Sequence, residues 1–179
     1  MTSEPALLTQ QLPEDVRGWW ASEKYDGVRA IWTGSKLLTR SGKDLNPPLS
    51  FIAGLPKNMR LDGELWMGRG TFDTLVSVIQ KKNSDWAGVK FLVFDLADVG
   101  TFEDRRERLE SASFPDHVQV VQHVALACHD DLDRMERLVV GMGGEGVVIR
   151  RPGCKYRPGR AGDVIKVKRL VADVDRWQG

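Results

Sequence analysis

The sequence predicts an α+β fold, and three observations lead there. Short runs of aromatic and β-branched residues, the signature of half-buried strands, recur along the chain from Trp19 to Val167. Three longer stretches between them carry helix signals, either a 3.6-residue apolar stripe or a capping pattern. Strands and helices come mixed rather than in strict alternation, which favours α+β over a doubly wound parallel sheet. At 179 residues, 41% hydrophobic and 28% charged, the chain has the size and composition of one globular domain with a real core.

Taken in order, residues 1–17 are polar, contain Pro5 and Pro13, and read as an arm leading into the first strand. Trp19-Trp20-Ala21 and Val28-Arg29-Ala30-Ile31-Trp32 flank Ser22-Glu23-Lys24-Tyr25-Asp26-Gly27. Asp26-Gly27 offers turn chemistry, because glycine reaches φ > 0 without steric cost, so this segment reads as strand, turn, strand. Gly34-Ser35 turns into a short strand, Lys36 to Thr39, and Arg40-Ser41-Gly42-Lys43 makes a compact basic turn. Asn46-Pro47-Pro48 breaks structure before a helical turn from Phe51 to Leu55. Leu61 to Trp66 is a strand with Glu64 between apolar neighbours.

Phe72 to Lys82 is a helix with its apolar stripe at Phe72, Leu75, Val76, Val78 and Ile79, and Val89 to Leu96 is a buried strand. Thr101 to Ser111 is a charged helix, with Thr101 as N-cap and Asp104 in the capping-box position. Val118 to Val121 is a strand. Asp130 or Asp131 caps a helix that runs through Val140 and buries Leu132, Met135, Leu138 and Val139, and Gly141-Met142-Gly143-Gly144 ends it. Gly146 to Ile149 and Asp163 to Val167 complete the strands.

A formal net charge of +1 excludes a global basic field. Positive charge is local instead: Arg150, Arg151, Lys155, Arg157, Arg160, Lys166, Lys168 and Arg169 cluster with Asp163 as the only acid among them. Cys128, Cys154 and the histidines form no metal-ligand spacing, and the sequence leaves open free thiols or a disulfide. The start from Met1 to Gln11 lacks a basic segment and an apolar core, and no run is long enough to span a membrane. These features lead to the expectation of a cytoplasmic monomer with no membrane partner, or a periplasmic one if a leader has been removed.

Five polar stations fall at strand ends or centres, where a strand prefers apolar residues: Lys24/Asp26/Arg29, Arg40 to Lys43, Glu64, Glu145 and Lys166/Lys168. A lysine at the end of a partly buried strand is held rigidly. Desolvation and nearby cations favour its free amine, which is a nucleophile. Lys166 and Lys168 alternate with Ile165 and Val167, so both ammonium groups point to one face, where a triphosphate would relieve their repulsion. Each station also has an ordinary reading. Lys24 could be a surface lysine beside a turn, Lys166/Lys168 the face of an edge strand, Glu145 a surface acid, Glu64 a cross-strand ion-pair partner, and Phe94 a core residue. Their joint occurrence carries the argument.

Together the stations resemble the ordered motif set of the covalent nucleotidyltransferases, which comprise ATP-dependent DNA ligases, RNA ligases and mRNA capping enzymes. Lys24-Tyr25-Asp26-Gly27-Val28-Arg29 resembles the Lys-x-Asp-Gly-x-Arg nucleophile motif, and Arg40-Ser41-Gly42 the Arg-containing turn that follows it. Asp62-Gly63-Glu64 resembles the Asp-Gly-Glu motif, Phe94-Asp95 the aromatic station, Glu145 to Arg150 the Glu-Gly-hydrophobic motif, and Lys166-Val167-Lys168 the closing Lys-x-Lys. Gly18 to Lys24, Asp62 to Trp66 and Gly143 to Val148 are most similar to the minimal bacterial ATP-dependent DNA ligases.

The resemblance implies a bilobed adenylation core of two antiparallel sheets flanked by helices, with ATP between them. Lys24 would attack the α-phosphate of ATP and become lysyl-AMP. Glu64 would bind the ribose, Phe94 would stack on adenine, and the backbone around Ser22 and Glu23 would read the adenine edge. Glu145 would hold Mg²⁺ or Mn²⁺, and Lys166 and Lys168 would neutralise the α-phosphate. Asp26, Arg29 and Arg40 would serve the later steps at a nick in double-stranded DNA, and the stretch from Arg150 to Arg160 would grip backbone phosphates. The resemblance also implies an OB-type domain after the Lys-x-Lys strand. Arg169 to Gly179 is too short for one, so it is expected in cis in a longer protein or in trans. An RNA ligase or capping guanylyltransferase domain, or a silent module that binds nucleotide or DNA ends, are the competing readings.

Overall fold

Alternation along each strand gives every sheet one apolar face, and the chain buries these faces in separate cores. This is visible in a computed structural model that describes residues 12–157 and 162–167. The elements are β1 (Trp20–Lys24), β2 (Val28–Trp32), β3 (Leu37–Thr39), α1 (Leu49–Ile52), β4 (Leu61–Trp66), α2 (Phe72–Gln80), β5 (Lys90–Leu96), α3 (Phe102–Glu110), β6 (Val118–Val120), β7 (Val124–Ala125), α4 (His129–Gly141), β8 (Gly146–Arg150) and β9 (Val164–Val167).

The larger sheet has the order β3-β2-β4-β5-β6, and the smaller has the order β7-β1-β8-β9. Ala30, Trp32, Leu61, Leu65, Phe91 and Val93 face one core, which Leu75 of α2 and Leu109 of α3 complete. Ala21, Val147, Ile149, Ile165 and Val167 face the other, closed by Leu132 and Val139 of α4. The α+β architecture of two sheets flanked by helices is therefore as the sequence predicts. All strand pairings are antiparallel except β5 with β6, which run parallel.

Several local expectations are corrected. β1 and β2 do not form a hairpin: they belong to different sheets, and Tyr25 to Gly27 carries the chain across between them. Gly27 does not have a left-handed φ. A Cβ there would lie 2.1 Å from the Leu65 carbonyl oxygen and 2.8 Å from Glu64 Cγ, so glycine is needed for close approach rather than for a turn.

On α4, Leu138 is 60% exposed and Glu136 takes a place in the buried face beside Leu132 and Val139. The N-cap position is Cys128, and Asp131 accepts a hydrogen bond from the Ala127 amide instead of capping. The helical turn after Pro48 begins at Leu49 rather than Phe51. On α3 the capping box between Thr101 and Asp104 is present as expected. Cys128 and Cys154 are both free. No helix among the described residues is long and apolar enough to cross a membrane.

Candidate active site

Lys24 is the last residue of β1, and its antiparallel partner is Gly146, the first residue of β8. Glu145 immediately precedes β8, so strand pairing brings these two distant residues side by side. Lys24 Nζ donates to Glu145 Oε2. Their side chains are 18% and 22% exposed, close enough to solvent to exchange partners yet confined by the cleft. The sequence reading surrounds Lys24 with cations. Its nearest neighbour is instead a carboxylate, because the β1–β8 register sets the ends of those strands together.

The larger sheet supplies the facing wall. Arg29 on β2 is paired in register with Glu64 on β4. Burial pushes the Glu64 carboxyl up to about 7, against the positive charges of Arg29, Lys24 and Lys166, which favour its ionised form. Those charges join three of the stations, and the Lys24–Glu145 bond brings a fourth to the same cleft. Arg29 makes a fork with Asp62, Nε to Oδ1 at 2.9 Å and Nη2 to Oδ2 at 2.6 Å, and its guanidinium carbon lies 5.5 Å from the centre of the Phe94 ring.

Phe94 sits at a register shift: Asp62 pairs with Asp95 but Gly63 pairs with Val93, which leaves Phe94 as the extra residue of a bulge. A bulge re-aims a side chain, and Phe94 is only partly buried rather than in the core. Arg40 is exposed one residue beyond β3, and the pairing of Ala30 with Thr39 puts it at the level of Arg29. Asp26 is exposed on the crossing between the sheets.

Ser22 is buried, and Glu23 accepts a 2.7 Å bond from Arg69, a partner no sequence pattern indicated. β7 pairs only with Trp20 and Ala21, so no described strand covers the β7-side edge of β1 from Ser22 onward. Lys166 on β9 is exposed and lies opposite Val148, itself opposite Ser22, so Ser22, Lys24 and Lys166 share one face of the small sheet. Lys168 and Arg160 lie outside the described residues.

The basic stretch after β8 needs correction. Arg150 points inward: its Nη1 donates to Asp95 at 2.7 Å, and its guanidinium carbon lies 4.6 Å from the Phe102 ring centre. Arg151 is bound by Asp163 at 2.7 Å. Lys155 and Arg157 remain exposed. Sequence reasoning gave no individual role to Asp62, Asp95, Arg105 or Tyr156. Asp62 and Asp95 could have been flagged as acids inside apolar strands, whereas Tyr156 carries no signal beyond lying in a basic stretch.

Among the described residues no group of three or more His, Cys, Asp or Glu side chains could hold a metal ion. A single carboxylate such as Glu145 nonetheless suits Mg²⁺, which keeps several waters and takes remaining ligands from substrate phosphates.

Comparison with known proteins follows the same line. Residues 7–168 match the family described as the ATP dependent DNA ligase domain. The chain is 33% identical over 172 residues to a DNA ligase of Haemophilus influenzae, covering 93% of this chain and 63% of that protein. It is 33% identical over 187 residues to the multifunctional non-homologous end joining protein LigD of Pseudomonas aeruginosa, covering 92% of this chain and 21% of that protein. It thus spans less than two thirds of the length of either relative.

Among solved structures, one from a study of Lig E DNA ligases superposes with a TM-score of 0.81 at 32% identity, over 94% of this chain and 70% of that one. A Chlorella virus DNA ligase-adenylate shares the fold, with a TM-score of 0.68 at 24% identity over 84% of this chain and 61% of that one. The chain, with its lysine and acid stations on facing sheets, belongs to the ATP-dependent DNA ligase domain family.

Proposed function

We propose that this chain is the adenylation domain of an ATP-dependent DNA ligase. The observation that carries the reading is the convergence of Lys24 on β1, Glu145 just before β8, and Arg29 and Glu64 on β2 and β4 of the other sheet, on one cleft. Lys24 Nζ attacks the α-phosphorus of ATP, the bond from that phosphorus to the bridging oxygen breaks, and pyrophosphate leaves. The ammonium proton must go first, because only the free amine is nucleophilic. The AMP then passes to the 5′-phosphate of a nick in double-stranded DNA, and a 3′-hydroxyl displaces it.

Glu64 suits the ribose hydroxyls, since a carboxyl that titrates near neutrality can accept or donate a hydrogen bond there. Phe94, turned out of the core by its bulge, offers a ring face for adenine. The uncovered edge of β1 at Ser22 and Glu23 can present main-chain groups to the base. Lys166, with Lys168 beyond it, supplies positive charge for the α-phosphate. Glu145 would hold the divalent cation, Mg²⁺ or Mn²⁺. When bound, that ion would offset the carboxylate charge beside Lys24 and screen the phosphates. Arg29, Arg40 and Asp26 serve the acceptor steps. An OB-type domain, in cis in a longer protein or in trans, would close the cleft.

Intact mass after incubation with ATP and Mg²⁺ tests this. Wild type should gain one AMP and Lys24→Ala none. No gain on folded, AMP-free wild type in the presence of a separately made OB domain, or a gain from GTP alone, would overturn it.

A further inference from the structure

Asp62 is fully buried and is gripped from two directions. Arg29 of β2 occupies both carboxylate oxygens, and Tyr156 Oη donates to Oδ2 at 2.8 Å. Tyr156 comes from the loop that follows β8, so its hydroxyl joins a loop of the small sheet to a carboxylate on β4 of the large one. Burial and the adjoining Asp62 push the phenol up to about 12, which keeps it a donor at every working pH.

The loop itself is fastened. The Gly153 amide donates to Glu103 at 3.0 Å, and the Cys154 carbonyl accepts from Arg105 Nη1 at 3.1 Å. The Arg105 guanidinium carbon lies 5.9 Å from the Tyr156 ring centre. Tyr156 points inward between Lys155 and Arg157, which are both exposed. A backbone phosphate engaged by those two cations would therefore act on a segment whose inward hydroxyl ends on the carboxylate that aims Arg29.

We propose that Tyr156 is a positioning residue for the acceptor step: through Asp62 it fixes the orientation of Arg29 and couples phosphate binding on the Lys155–Arg157 loop to the cleft. This rests on the reading of Arg29 as a residue of the DNA steps. The bond from Tyr156 is a neutral donor to a buried carboxylate. Its loss should slow transfer by roughly tenfold or more, as expected for a hydrogen bond to a charged group.

The test compares wild type, Tyr156→Phe, Arg29→Ala and the double variant. Each is loaded with AMP, mixed with a separately made OB domain and a nicked duplex bearing a 5′-phosphate, and followed over a single turnover. Tyr156→Phe should lower the rate of AMP transfer by about tenfold or more while lysyl-AMP formation and nick affinity stay within about twofold, and it should add nothing in the Arg29→Ala background. Solvent exchange of the Arg29 Nε proton should rise in Tyr156→Phe.

Equal losses in self-adenylation and transfer would make Tyr156 merely structural and overturn the proposal. So would additive losses in the double variant, or an unchanged transfer rate. If wild type forms lysyl-AMP but Arg29→Ala transfers normally, the role read for Arg29 is wrong. If loaded wild type transfers nothing to the nick, the DNA acceptor is wrong. In those cases unchanged Arg29 proton exchange in Tyr156→Phe would separately overturn the positioning link.

Discussion

Two ion clusters in this chain both set carboxylates against cations and are made for opposite purposes. At Asp95 the carboxylate is wholly buried and takes Arg105 Nε at 2.7 Å, Arg150 Nη1 at 2.7 Å and the Leu96 amide at 2.8 Å. Arg105 is equally buried, and both guanidinium groups lie against the Phe102 ring. This cluster ties β5, α3 and β8, and so both sheets, with one buried carboxylate shared by two guanidinium groups largely out of water. Lys24 and Glu145 make a single pair at the mouth of the cleft, each about a fifth exposed. Charge that on the proposed function meets a nucleotide stays near water, where partners exchange at little cost. Charge that sets the spacing of the sheets is sealed away.

The largest effect expected from breaking this contrast comes from Asp95→Asn. It leaves Arg105 and Arg150 buried without a counter-charge, which costs about 3–5 kcal/mol. For a domain of this size that lowers Tm by roughly 10 °C or more, measurable by thermal denaturation. A loss of only a degree or two would mean that the sheets are held by apolar packing alone.

Between the two clusters in depth stands Glu64, whose carboxyl moves from an ordinary 4.5 to about 7 on folding, mainly through burial. Between those values the folded protein holds more protons than the unfolded chain, so this group makes stability fall as pH rises from about 4.5 to 7. The upper bound is about 3 kcal/mol at 1.36 kcal/mol per pKa unit, and partial exposure reduces it. His123 acts with the opposite sign. Burial holds it near 3, so its contribution is present above about 6.5 and is lost as pH falls. Measuring the Tm of Glu64→Gln minus that of wild type cancels His123. This difference should grow from pH 5 to pH 8, and parallel curves would show that the cleft keeps Glu64 ionised.

Much of this was legible in advance, and the gaps have physical causes. Leu61–Trp66 is bounded as its alternation indicates, and the Thr101–Asp104 capping box is local chemistry that needs no tertiary context. The positions of Lys24, Glu64 and Glu145 were readable as polar interruptions in apolar runs. What they touch was not. The Lys24–Glu145 pair depends on the register of β1 with β8, and the requirement at Gly27 depends on the carbonyl of Leu65 in another strand. Asp26-Gly27 looks like a hairpin turn because turn chemistry and close backbone approach select the same residue. Arg150 read as a free cation because only the folded chain brings Asp95 beneath it.

The smallest change in stability should accompany a large change in chemistry, at Glu145→Gln. The substitution keeps the shape of the side chain and removes its charge from a pair that water already reaches, so stability should fall by less than about 1 kcal/mol. On the proposed function lysyl-AMP formation should drop by roughly a hundredfold or more, because the same carboxylate would hold the divalent cation beside the reacting amine. Quenched-flow or intact-mass kinetics beside a Tm measurement reads both quantities on one sample. A variant that unfolds several degrees early yet adenylates normally would place Glu145 with Asp95, as a fastening of the fold, and would erase the distinction between the two clusters.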